Sequence, residues 1–126
     1  MSGGPVLIVD DNYINLQLAR VTLELAGYAV RTAADADEAL AAIAAESPRL
    51  ILMDLQLPGM DGLTLTRRLK ADPATSDIVV VALTAYAMKG DAETARRAGC
   101  DGYVSKPIDV ATLPAVVGSF LGGGGS

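Results

Sequence analysis

Apolar residues along this chain cluster into short unbroken runs, separated by stretches with the spacing of helices. Val6-Leu7-Ile8-Val9, Leu50-Ile51-Leu52-Met53 and Ile78-Val79-Val80-Val81-Ala82-Leu83 contain no polar residue. Runs without alternation read as strands buried on both faces, as in a parallel sheet covered by helices. Val30 to Ala33 and Tyr103-Val104 are weaker strands. Helical spacing runs from about Tyr13 to Ala26, where Gly27 is a natural stop. An alanine-rich helix follows, with Asp35 as cap, Glu38 completing a capping-box pattern, and Pro48 beyond its end. A third helix spans about Gly62 to Lys70, capped by Asp61 and ended by Asp72-Pro73. The fourth, about Met88 to Ala98, contains Gly90 and an apolar face that is mostly alanine, so it is weakly held and easily displaced. The last starts near Thr112 and tolerates Pro114 in its first turn, with Phe120 and Leu121 closing the core. Five strands alternating with helices predict an α/β domain with a parallel sheet and right-handed crossovers.

The first helix carries two apolar stripes. Ile14, Leu18, Val21 and Leu25 make one; Leu16, Ala19, Leu23 and Ala26 make the other. One stripe belongs to the core. The other is either covered by neighbouring helices or exposed to a partner, and the spacing does not decide which.

Chemistry sits where the strands stop. Asp10-Asp11 follow the first strand, Asp54 ends the third, Thr84 ends the fourth and Lys106-Pro107 follow the fifth. Pro58 and Gly59 break the chain soon after Asp54. All strand C-termini of a parallel sheet share one edge, which is where such sheets build their sites. Three carboxylates converging there repel one another unless a cation offsets them, and oxygen donors of this type suit Mg²⁺. A lysine supplies a point charge toward a phosphoryl oxygen and a threonine hydroxyl a hydrogen bond. That set of groups is what phosphoryl transfer to an aspartate requires.

Composition narrows the chemistry further. Histidine is absent, which excludes Ser-His-Asp and Cys-His nucleophile systems and His-based zinc sites. With no imidazole available, a carboxylate is the favoured carrier for a covalently held phosphoryl group. The chain has 126 residues, the length of one domain, and a formal charge of −5, which argues against nucleic-acid binding by the domain. No apolar run reaches membrane-spanning length and no signal peptide is visible, so a cytoplasmic location is expected. The single cysteine, Cys100, suits a reducing compartment and reads as a small core residue. Lys89, Arg96 and Arg97 read as a solvated face, with a partner surface the alternative.

With these residues in place, the chain resembles a response-regulator receiver domain of two-component signalling, of the chemotaxis or single-domain type. The resemblance runs from about Pro5 to Leu121 and rests on Asp10-Asp11-Asn12, on Met53 through Gly62, on Leu83-Thr84-Ala85 and on Lys106-Pro107. It implies a flavodoxin-like fold, five parallel strands in order 2-1-3-4-5 with helices on both faces. It implies that Asp54 accepts a phosphoryl group, with Mg²⁺ present, from a sensor histidine kinase or a histidine phosphotransfer protein. By family roles Asp11 and Asp54 would hold the metal directly, the Gln56 backbone carbonyl would be a third ligand, and Asp10 would act largely through water. Thr84 and Lys106 would grip the phosphoryl oxygens. Thr84 and Tyr103 would form the switch, against the plainer reading of Tyr103 as a half-buried strand residue. Gln56 and Tyr86 would tune the lifetime of the phosphorylated state, with Tyr86 screening the attacking water to make it moderately long-lived. Ala85 would leave room for the donor, whose docking surface in receivers lies around helix one.

The resemblance thus implies a signalling phosphoacceptor that assists its own Mg²⁺-dependent phosphorylation and dephosphorylation rather than an enzyme. Helix 4, strand 5 and helix 5 would present the switched surface to a downstream protein, in a monomer or weak dimer. The alternative is a phosphorylation-independent adaptor using the same surface. An aspartate-nucleophile phosphatase would need a second acid where Gln56 stands, and no Gly-x-Gly-x-x-Gly follows the first strand to make a dinucleotide site. Residues 1–4 are expected to be a disordered N-terminus, 5–121 the receiver domain and 122–126 a Gly-rich flexible tail. The sequence leaves open whether that tail is native, a linker or an appended segment.

Overall fold

The computed structural model describes residues 4–55, 60, 62–84, 89–105 and 108–121, with the side chains of 89–92 and 105 left aside. Its elements run β1 (Val6–Val9), α1 (Tyr13–Leu25), β2 (Val30–Ala33), α2 (Ala36–Ala45), β3 (Leu50–Asp54) and α3 (Gly62–Ala71). They continue as β4 (Val79–Thr84), α4 (Lys89–Ala98), β5 (Gly102–Ser105) and α5 (Leu113–Phe120). The five strands form one sheet in the order β2-β1-β3-β4-β5, all pairs parallel. This is the flavodoxin-like arrangement, in order 2-1-3-4-5, that the family resemblance implied.

Alternate residues of each inner strand feed opposite cores. Leu7, Val9, Ile51, Met53, Val80 and Ala82 pack with Ala39 and Ile43 of α2, Leu65 and Leu69 of α3, and Ala95 of α4. Val6, Ile8, Leu50, Leu52, Val81 and Leu83 pack with Leu16, Ala19 and Leu23 of α1 and Leu113 and Val117 of α5. Both faces being covered explains the unbroken apolar runs. Phe120 and Leu121 are partly buried against the second core, as expected.

Local chemistry fixes the element ends. Gly27 takes φ +100, the left-handed conformation that closes a helix at little cost to glycine. Asp35 caps α2 by accepting from the Glu38 N–H at 2.8 Å, and the Glu38 carboxylate reaches back to the Ala34 N–H, also at 2.8 Å. The reciprocal pair is thus present, displaced by one residue from the usual capping box. Boundaries differ from the sequence expectation by a residue in several places. Ala26 is the cap of α1 and exposed, so it leaves the inner stripe; Ile78 is buried but precedes β4. The expected Asp61 cap, Met88, Pro107 and the 122–126 tail lie outside the described residues.

Candidate functional site

Strand register brings the site together. Val9 pairs with Met53, so the next residues, Asp10 and Asp54, leave adjacent strands at the same level. Asp54 pairs with Leu83, which places Thr84 one residue further on, and Thr84 pairs with Ser105. Beyond the strand ends the sheet spacing is kept by the Asp10 N–H donating to the Ala33 carbonyl at 3.1 Å and the Leu55 N–H to the Leu83 carbonyl at 3.2 Å.

Side-chain oxygens of Asp10, Asp11 and Asp54 lie within 4.8 Å of one another. Asp10 and Asp54 are buried while Asp11 is exposed. Asp10 is oriented by accepting the Asn12 N–H at 2.9 Å, and Asn12 caps α1 by accepting the Asn15 N–H at 3.0 Å. Asp10 and Asp11 are also of a residue type that caps helices. The cap lies one residue later because Asn12 is the last extended residue before the helix, which leaves both acids to face the strand ends.

An all-oxygen donor set, two of its members out of water, is an unfavourable arrangement for anions alone and a fitting one for a hard divalent cation. Three carboxylates at this spacing fit Mg²⁺ by donor chemistry. Thr84 is also buried at the same edge. Tyr103, on the edge strand β5 opposite Ala82, is 45% exposed, an outward position for the expected switch residue. Gln56, Ala85, Tyr86 and Lys106 lie outside the described residues; Lys106 follows directly on the last residue of β5 in sequence.

Close packing braces the floor of the site. Gly62 opens α3 against β3, and its N–H donates to the Leu55 carbonyl at 3.3 Å. A Cβ at Gly62 would lie 2.3 Å from the Asp54 carbonyl oxygen. The helix therefore approaches Asp54 more closely than any side chain permits. Behind it the Thr66 hydroxyl donates to the Gly62 carbonyl at 2.7 Å and contacts the buried Cys100 sulfur at 3.9 Å. Burial pushes the Cys100 thiol pKa up, with Asp101 adding to it and Thr66 and Lys70 opposing.

Outside the edge, α1 leaves one stripe uncovered. Ile14 is 74% exposed and Leu25 85%, with Leu18 and Val21 between them, while Leu16, Ala19 and Leu23 are buried. Tyr13 extends the exposed stripe toward Asp11. The sequence could not say which leucines face outward; the structure assigns them. Sequence reasoning missed one polar cluster, centred on Lys70 and Asp101, whose partners are 31 residues apart with no motif to join them. Among the described residues no helix is long and apolar enough to cross a membrane.

The family described as the response regulator receiver domain matches residues 6–118. A polar-differentiation response regulator, DivK, of Brucella anthropi is 44% identical over 117 residues, 93% of this chain and 95% of that protein. The crystal structure of a putative response regulator from Chloroflexus aurantiacus is similar with a TM-score of 0.89 at 33% identity, covering 96% of this chain and 99% of that one. A beryllofluoride-activated DrrB receiver domain is similar with a TM-score of 0.84 at 26% identity, covering 96% of this chain and 99% of that one.

Proposed function

The chain belongs to the response regulator receiver family of two-component signalling, and from that premise we propose that it is a phosphoacceptor switch working through Asp54. The observation that carries the reading is the approach of the Asp10, Asp11 and Asp54 carboxylates at the edge where Thr84 also ends its strand. In the step proposed, a carboxylate oxygen of Asp54 attacks the phosphorus of a phosphohistidine. The P–N bond breaks, the imidazole leaves, and an acyl phosphate forms on Asp54. Attack by water later releases inorganic phosphate and restores the carboxylate.

Asp11 and Asp54 would hold Mg²⁺ directly with the Gln56 carbonyl, and Asp10 through water. When bound, the ion offsets the charge of the carboxylates and of the phosphoryl oxygens. Burial of Asp54 keeps bulk water from most of its carboxylate. The Thr84 hydroxyl donates to a phosphoryl oxygen and Lys106 supplies the opposing charge. Recruitment of Thr84 to the phosphoryl group draws Tyr103 inward, which alters the face made by α4, β5 and α5 for a downstream protein. Gln56 and Tyr86 set how quickly water reaches the acyl phosphate. The exposed α1 stripe, which ends beside Asp11, is the docking surface for the helical phosphodonor, a sensor histidine kinase or histidine phosphotransfer protein.

Intact mass after incubation with acetyl phosphate tests this reading. One phosphoryl group is expected with Mg²⁺, and none with chelator or in Asp54→Asn. Absence of an adduct, together with no response to beryllofluoride and Mg²⁺, would favour a phosphorylation-independent adaptor, whose partner binding would survive Asp54→Asn. The domain limits proposed are residues 5–121, followed by a Gly-rich tail from Gly122.

A further inference from the structure

The Lys70 ammonium, in the last turn of α3, uses its full donor capacity on three partners. It donates to the Ile78 carbonyl at 2.7 Å, to the Asp101 carboxylate at 3.0 Å and to the Ser76 carbonyl at 3.3 Å. The same Asp101 oxygen accepts the Val80 N–H at 2.8 Å, while the Asp101 N–H donates to the Val80 carbonyl at 2.7 Å. Asp101 is thus locked to the start of β4 in both directions, directly before Val81 pairs with Gly102. Gly99, at φ +107, lies over the lysine stem, where a Cβ would come within 2.8 Å of Lys70 Cγ. The turn from α4 into β5 is therefore fastened to α3 and β4 through the Lys70–Asp101 pair.

Apolar packing shares in holding that end, with Cys100 of the turn buried in the core beside Thr66 of α3. Among the described side chains of α4 only Ala95 and Ala98 are buried, and both are small. Apolar burial scales with area, so two alanines anchor a helix weakly. The other end of α4 begins at Lys89, five positions after Thr84 in sequence.

We propose that Lys70, with Asp101 and Gly99, is the fixed pivot of the switch. It holds the C-terminal end of α4 and the head of β5 in place, so that displacement begun at Thr84 is confined to the N-terminal end of α4 and passed to Tyr103. This rests on the reading of Thr84 and Tyr103 as the switch pair. The pivot also holds the register that sets Tyr103 opposite Ala82 and Ser105 opposite Thr84. Loss of the pin would let the whole helix move, and the displacement would dissipate before reaching Tyr103.

Hydrogen exchange read by mass spectrometry on the full chain tests this, with beryllofluoride and Mg²⁺ as the probe. In the wild-type protein, peptides covering 95–101 should exchange alike with and without the probe, while those covering 85–94 and 102–105 should change. Lys70→Met keeps the stem and removes the donors; protection of 95–101 should fall roughly tenfold or more even without the probe, and become probe-dependent. Asp101→Asn, nearly isosteric, should move the same peptides in the same direction and guards against a misfolded lysine variant. Phosphoryl uptake at Asp54 from acetyl phosphate should stay within about twofold in both variants, because neither touches the acid cluster. Unchanged protection of 95–101 in both variants, or a wild-type probe effect centred on 95–101, would overturn the pivot. Failure of the wild-type protein to take either the phosphoryl group or beryllofluoride would instead strike the phosphoacceptor reading. The probe-free comparison of wild type and variants would then still decide whether Lys70 pins the helix.

Discussion

Gly62 shows how far the site depends on single atoms. A methyl group there would meet the Asp54 carbonyl, a backbone atom that has no rotamer to escape into. Gly62→Ala is therefore expected to destabilise the fold by about 1–3 kcal/mol, as overpacking does, and to shift the strand end that carries Asp54. Urea unfolding of the variant checks the first effect, and its acetyl phosphate labelling rate the second. Cys100 allows a second prediction. Its pKa is raised by burial, so the folded state keeps the thiol proton where the unfolded chain has lost it. The stability this group contributes is fully present below about pH 8.5, the ordinary thiol value, and is lost as pH rises toward the folded value. Between pH 7 and 9.5 the wild-type urea midpoint should fall more than that of Cys100→Ala, and native Cys100 should alkylate far more slowly than in urea. An equal fall in both proteins would contradict this. At this scale the acids were legible, because each ends an apolar run. Lys70 and Asp101 were not: a lysine near a helix end and an aspartate in a turn are ordinary residues until folding joins them.

At the scale of elements, α1 divides into a half that holds the fold and a half that is free. Leu23 lies on the buried stripe and Leu18 on the exposed one. Leu23→Ala should cost about 2–5 kcal/mol, the range for a buried leucine. Leu18→Ser should stay within about 0.5 kcal/mol, as surface changes do. If the exposed stripe docks the donor, Leu18→Ser should slow transfer from a phosphohistidine protein roughly tenfold, the loss of one modest interface contact. Labelling by acetyl phosphate, which needs no docking, should be unchanged. A parallel loss of both rates would place Leu18 in the chemistry rather than in docking. The periodicity of α1 revealed two stripes but not their direction, because outward and inward leucines look alike until the sheet is placed. Helix α4 was readable as weak from its alanines and Gly90, and its described buried residues are alanines alone. What pins its far end was invisible in its own sequence.

For the whole molecule, the three apolar runs were enough to predict a parallel sheet with both faces covered, and the observed two cores follow from their alternating residues. The strand order came from resemblance, since no local pattern states which strands are neighbours. Once that order is set, the register of β1, β3 and β4 brings Asp10, Asp54 and Thr84 to one edge without further instruction. The assembly is a rigid sheet with an acid cluster at its rim and a lightly held helix beside it, which is the layout a phosphorylation switch needs. The most direct measurement is to label the protein with acetyl phosphate and Mg²⁺, reduce it with borohydride, and sequence its peptides by mass spectrometry. An acyl phosphate is reduced to the alcohol, so Asp54 should appear as homoserine, with Asp10 and Asp11 unchanged. Homoserine at Asp10 or Asp11 instead, or no reduced residue in a protein that gained a phosphoryl group, would contradict the assignment of Asp54 as the acceptor.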